Sequence, residues 1–262
     1  MRVRLIFTNK DKGASIPFHH QYYLFRFFKG LIKKCRDENL GEFDHHNFNF
    51  SGLKGQTTVS KAGLHFYSSK ITVVFSCQDK KFIDAIIEAL FTLPEIKLNG
   101  LTMIPFSVEL EPEIDIIEEM KYICISPILL LKPEFSDETA KRFIHPLSEE
   151  FKTLLVDAIC QKTDLLKNTD DIDFIPDENY IKKLEDAGKK YSRVYPLFDQ
   201  DVPYEVRGYT FPFTLKAPVE VHKFLFECGI GLYNEKGFGM LDLATVIPGS
   251  KTTPYFTGQL AS

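Results

Sequence analysis

Four of the seven histidines stand in two adjacent pairs, His19-His20 and His45-His46, and Tyr22 and Tyr23 follow closely on the first pair. Imidazole gains and loses a proton near neutral pH, so such clusters suit general acid-base chemistry. Lys54 and Lys61 flank the polar stretch "GLKGQTTVSKAG", where ammonium groups can contact phosphates or oppose charge that grows during a reaction. His46 alternates with Phe48 and Phe50, which puts the three on one face of a strand. His65, in "GLHFYSS", has the position of a half-buried strand histidine or of a further proton carrier. His145 and His222 have no ligand types nearby, and no C-x-x-C pair occurs, so the pattern argues against a metal site.

The second conspicuous feature is "GIGLYNEKGFGM" at 229–240, with Gly229/Gly231, Gly237/Gly239 and Lys236 just before the second pair. A Rossmann loop follows a strand, opens a helix and spaces its glycines G-x-G-x-x-G; a P-loop needs G-K-[ST]. This segment has neither spacing and lies between the last expected helix and the last expected strand. Two uses remain open: a tight helix-to-strand connection, or backbone N–H groups offered to phosphates. Phe238 and Tyr233 are suited to stacking on bases or to packing under the loop.

The elements that must position these groups follow from periodicity. "VRLIFT" (3–8) is a strand and 20–36 a helix with cations weighted to its last turns. "FNFS" (48–51) and "LHFYSSKITVVFS" (64–76) supply strands, the second joined near Ser68–Lys70. Residues 79–94 form a helix capped by Asp79 and ended by Pro94, and "TMIPFSVELEPE" closes the unit. The order β-α-β-β-α-β is the ferredoxin-like arrangement. The second half repeats it: strand 121–131, helix 147–166, strands in "RVYPLF" and "VRGYTFPFTLKAP", helix 218–229, and last strand "FGMLDLATVI". The expected fold is α+β, with two tandem ferredoxin-like domains at 1–116 and 117–262.

With 44% hydrophobic and 26% charged residues, the chain has the composition of a globular protein. No apolar run reaches the length of a membrane span, and the N-terminus reads as a strand rather than a signal peptide. Five scattered cysteines fit reduced thiols, hence an expected cytoplasmic location. The net charge of −4 hides an asymmetry: residues 1–36 carry nine basic residues against Asp11 alone. A polarised surface of this kind steers polyanions, although a solvated basic helix face would leave the same signature.

Tandem ferredoxin-like units with a terminal G-h-G-x5-G-h-G resemble the RAMP superfamily. Within it the chain resembles the endoribonucleases that cut precursor CRISPR RNA in its repeats, the sixth numbered Cas family. "PFHHQYYL", "FNFS", "ISPILL" and "RGYTFPFTLKAP" agree as well, so the resemblance covers nearly the whole chain. It implies cleavage without metal or other cofactor, in which the RNA 2'-hydroxyl attacks the adjacent phosphate and leaves a 2',3'-cyclic phosphate. The family places a histidine after the first helix and a lysine near the second strand; the candidates in this chain are His46 and His20 for proton transfer and Lys54 for the phosphate, with Tyr23 in support. The RNA backbone is expected on Arg26, Lys29, Lys33, Lys61 and Lys236, and on the segment Gly229, Gly231, Gly237, Phe238, Gly239. The family's usual tyrosine position on the first helix falls near Lys29 here, a departure from the pattern. The implied partner is precursor CRISPR RNA, with effector-complex subunits and a second copy of the chain as further candidates. A non-cleaving RNA-binding subunit of the same superfamily is the alternative, and a phosphate-binding α+β protein a third.

Overall fold

Alternating burial along the first strand sets the plan of the molecule. In β1 (Arg2–Asn9), Val3, Leu5 and Phe7 are buried while Arg4, Ile6 and Thr8 are only half so. That is the pattern of a sheet packed on one face. The computed structural model describes residues 1–37, 47–134, 136–163, 171–199, 202–245 and 251–257.

The first unit continues with β2 (Ser15–Ile16), α1 (Gln21–Asp37), β3 (Phe48–Phe50), β4 (Thr57–Ser60), β5 (Gly63–Phe66), β6 (Lys70–Cys77), α2 (Lys80–Phe91), β7 (Ile96–Leu98) and β8 (Leu101–Leu110). Its main sheet runs β8-β1-β6-β3, all antiparallel, which is the 4-1-3-2 order of a ferredoxin-like unit. Asp79 caps α2 as the sequence predicts, its carboxylate accepting from Lys81 N–H at 2.8 Å, a contact worth about 1 kcal/mol. β2, β5 and β4 form a separate small sheet. β5 and β6 are therefore neighbours in the chain around Ser68–Lys70 without pairing with each other. Phe28, Phe48, Phe50, Phe75 and Phe82 meet in the core, with ring centroids 4.8 Å apart for Phe28 and Phe50.

The second unit holds β9 (Glu119–Cys124), β10 (Ile128–Leu129), α3 (Asp137–Lys141), α4 (Glu149–Cys160), β11 (Asp173–Pro176), α5 (Glu178–Asp186), β12 (Ser192–Asp199), β13 (Val202–Tyr209), β14 (Phe213–Lys216), α6 (Val219–Cys228) and β15 (Leu241–Leu243). The sheet order β15-β9-β14-β11 is again 4-1-3-2. The second strand is nevertheless "DFIP" at β11, inside the acidic stretch, and the expected "RVYPLF" strand is half of an added hairpin, β12/β13. The expected strand 121–131 breaks into β9 and β10 on different sheets. At the break, Ser126 Oγ accepts from Met240 N–H and the Pro127 carbonyl from Gly239 N–H, so the chain there serves the glycine segment.

After β15 the chain returns in β16 (Thr253–Pro254), which pairs with β8. The compact units are accordingly discontinuous: Met1–Glu113 with Glu235–Gly237 and Gly249–Ser262, and Ile114–Asn234 with Phe238–Pro248. A single cut between 116 and 117 cannot describe them, because β16 completes the first unit's sheet. Among the described residues no helix is long and apolar enough to cross a membrane.

Candidate nucleic-acid interface

Helix α1 buries Leu24, Phe28, Leu31, Ile32 and Cys35 and turns Arg26, Lys29, Lys33 and Arg36 outward. Tyr22, Arg26, Lys29 and Lys33 follow the i, i+4, i+7, i+11 spacing of one helical stripe. Arg26 lies over the Tyr22 ring at 5.8 Å, and Lys29 over the Phe25 ring at 5.9 Å. Lys236, counted with this unit, reaches the same Phe25 ring at 6.0 Å. Cations held against aromatic faces keep an extended, ordered geometry that suits phosphates and bases together. The expectations for Arg26, Lys29 and Lys33 thus fall on one exposed helix face, and half-buried Lys236 reaches the Phe25 ring of the same helix. Phe25 is a member that the sequence reading missed; the i, i+4 pairing of Phe25 with Lys29 was the available signal.

The glycine segment has a different use. Gly229, Gly231, Gly237 and Gly239 all have positive φ, from 70 to 88°, and all are buried. A Cβ on Gly239 would stand 1.8 Å from the Ile230 carbonyl oxygen, one on Gly237 2.3 Å from the Phe50 ring, and one on Gly231 2.7 Å from the Leu129 carbonyl oxygen. The N–H groups of Gly229, Ile230, Leu232 and Gly239 donate to backbone carbonyls, and Asn234 Nδ2 donates to the carbonyls of Ile230 and Phe238. A phosphate cradle needs outward, unspent N–H groups, so the expectation that Gly229 and Gly239 hold RNA through theirs is corrected by this geometry. Phe238 is 2% exposed with its ring edge-on to Tyr195, 5.4 Å between centroids, and is a core residue closed to base stacking.

The histidines separate in the same way. His20 is 5% exposed; its Nε2 accepts from Leu53 N–H at 3.1 Å and its ring packs against Gly52. Burial is the main cause that brings its pKa down to about 4, with the carbonyls of Pro17 and Phe18 partly offsetting it. A buried neutral imidazole fixed by a backbone N–H is a structural clasp, and the expected proton-transfer role of His20 is corrected accordingly. His65 donates from Nδ1 to the Gly13 carbonyl and accepts the Ser60 hydroxyl at Nε2 (2.8 Å). His222 donates to the Glu118 carbonyl and accepts from Tyr122, and His145 accepts from Leu147 N–H and donates to Glu185. His19 is half-buried and stacked on Tyr23 with ring centroids 5.9 Å apart. His45 and His46 lie outside the described residues. Lys54 is exposed one residue past Leu53, its backbone bridged to Thr72, and Lys61 is exposed at the β4–β5 turn.

Two ferredoxin-like units, each with its sheet in 4-1-3-2 order, constitute the fold of a RAMP protein. A solved RAMP protein described as binding different RNA substrates superposes with a TM-score of 0.74 at 18% identity, covering 94% of this chain and 100% of that one. The model of the C-terminal region of CRISPR associated protein Cas6 matches residues 108–243, more than half of the chain. The chain belongs to the Cas6 family. It is 24% identical over 261 residues to a CRISPR-associated endoribonuclease Cas6 of Pyrococcus furiosus, covering 96% of this chain and 90% of the relative. It is also 23% identical over 251 residues to an endoribonuclease-like Cas6 protein of the same organism, covering 93% and 98%.

Proposed function

We propose that the protein binds precursor CRISPR RNA and cuts it within its repeats without a metal ion. The 2'-hydroxyl attacks the adjacent phosphate, leaving a 2',3'-cyclic phosphate and a 5'-hydroxyl end. Family membership and relatives named as endoribonucleases support RNA processing. The observation that carries it for this chain is the exposed stripe Arg26, Lys29, Lys33, with half-buried Lys236 beside it, spaced by the rings of Tyr22 and Phe25. A polyanion whose bases are unstacked matches that alternation of cation and aromatic face. The chemistry needs an in-line 2'-oxygen, a proton acceptor and a cation at the phosphoryl oxygens. In this proposal His46, two residues before β3, takes the proton, exposed Lys54 opposes the charge, and Tyr23 beside His19 orders the entry to α1. DNA lacks the nucleophile.

The test is cleavage of the organism's own repeat RNA in excess EDTA, beside a substrate with a 2'-deoxy at the cut site. A single cut ending in cyclic phosphate and abolished by the deoxy substitution is the expected result. His46→Ala should slow it by about 100-fold or more and Lys54→Ala by about tenfold or more. Cleavage that His46→Ala leaves at full rate would remove that residue from the mechanism. A second reading, a non-cleaving RNA binder, is favoured by one observation: His20 is closed to solvent, and His65, His145 and His222 have both ring nitrogens engaged. Tight binding of the repeat with no product would select it.

A further inference from the structure

The segment that carries Lys54 leaves β3 through an irregularity. Phe50 pairs with Phe75 of β6, and Ser51 N–H donates to the Val74 carbonyl in the same register. Lys54 and Thr72 then exchange both backbone bonds, Lys54 N–H to the Thr72 carbonyl at 2.8 Å and Thr72 N–H to the Lys54 carbonyl at 2.9 Å. Gly52 and Leu53 therefore stand opposite Val73 alone, which is a β-bulge with one extra residue. In an unbroken ladder Leu53 would face Thr72. Lys54 would face Ile71, on the side of β6 where Phe75 meets Phe28 of α1 and Phe82 of α2. The bulge reverses this: Leu53 joins the buried core, and Lys54 is exposed opposite Thr72.

A bulge has to find other partners for the backbone groups it takes out of the ladder. Val74 N–H is accepted by Ser51 Oγ at 2.9 Å, and that hydroxyl donates to the Gly52 carbonyl at 2.9 Å. Leu53 N–H goes to His20 Nε2 at 3.1 Å in a buried bond. The ring has room because position 52 is glycine: a Cβ there would lie 2.8 Å from Nε2. The His20 carbonyl in turn accepts Leu24 N–H, so the residue that holds the bulge also opens α1, the helix of Arg26, Lys29 and Lys33. Loss of the imidazole leaves a buried N–H without an acceptor, and the segment regains one only by moving.

We propose that His20 is a positioning residue for cleavage: by holding Leu53 N–H it fixes the bulge that aims Lys54, and it ties that aim to the helix that binds RNA. The proposal rests on Lys54 opposing the phosphate charge, and its test separates the two. The test is a double-mutant cycle on repeat-RNA cleavage by the full chain, with kcat and KM measured well below the Tm of each variant. His20→Ala is expected to lower kcat about tenfold or more while KM changes less than about twofold. In a Lys54→Ala background the same substitution is expected to have no further effect, because nothing is left to aim. His20→Gln offers an amide oxygen to Leu53 N–H but cannot carry a proton, so its expected recovery of most of kcat separates positioning from proton transfer. If His20→Ala fails to fold, Gly52→Ala takes its place in the cycle, displacing the ring while the imidazole stays in the chain. Full kcat in His20→Ala beside a slowed Lys54→Ala overturns the positioning and leaves the role of Lys54 standing. A loss that adds in full to that of Lys54→Ala does the same. Lys54→Ala at full rate removes the lysine from the mechanism and the positioning with it, and a wild-type protein that binds the repeat without cutting overturns both.

Discussion

The glycine segment and the first helix invite the same expectation, contact with RNA phosphate, and the structure treats them in opposite ways. The four glycines of 229–239 turn inward: all have positive φ and are buried, the N–H groups of Gly229 and Gly239 are spent on backbone carbonyls, and Gly231, Gly237 and Gly239 have no room for a Cβ. The helix turns outward, with Arg26, Lys29 and Lys33 exposed over aromatic faces. A motif that stands out because its residue types are unusual is here a packing device, while the run of ordinary lysines and rings bears the free charge. Glycine enrichment reports a backbone that must come close to something, and that something is the protein's own Ile230, Leu129 and Phe50.

Substitution sharpens this contrast, and the largest effect belongs to the buried side. Gly239→Ala brings a methyl group against the Ile230 carbonyl at an unfavourable φ, and should destabilise the protein by about 4 kcal/mol or more in denaturant unfolding. Retention of wild-type stability would mean that the segment is not packed as described.

Next in size is the pH dependence of the His20 clasp. Its folded pKa of about 4 lies below the ordinary 6.5, so the unfolded chain binds the proton first. The contribution is therefore complete above about pH 6.5 and is lost as pH falls toward 4, by up to about 3 kcal/mol. Chemical denaturation across that window should show the loss, and His20→Gln should flatten it.

The smallest effect on stability belongs to the exposed side. Replacing Arg26, Lys29 and Lys33 together by alanine should change stability by less than about 0.5 kcal/mol per site. The same change should lower the salt slope of repeat-RNA binding by about 2. A triple variant that binds with an unchanged slope would remove α1 from the RNA contact.

Much of the architecture was legible because it is encoded locally. The alternation of Val3, Leu5 and Phe7, the helical spacing in 20–36 and the cap at Asp79 each act over a few residues, and the two β-α-β-β-α-β orders follow from them. The missed elements depend on distant partners. "DFIP" is a strand because β14 pairs with it, although its acidic flanks read as loop. The break at Ser126–Pro127 exists because Met240 and Gly239 claim those two residues' acceptors. Burial of His20, whose ring accepts from Leu53 N–H, could not be read from a histidine at a helix entry.

The pairing of β16 with β8 orders the birth of the molecule. The outer edge of β8 is paired with β7 at Leu101–Met103 and with β16 at Glu109–Leu110. Thr252, which bonds Glu109, is 143 residues downstream of it. During vectorial synthesis the first unit must therefore wait, with part of an edge strand unclaimed, while the ribosome makes the whole of the second. An unclaimed strand edge is a template for wrong pairing. The bulge at Phe106 and the charge of Glu109 stand along the strand that has to survive this interval, and both features disfavour pairing with a wrong edge.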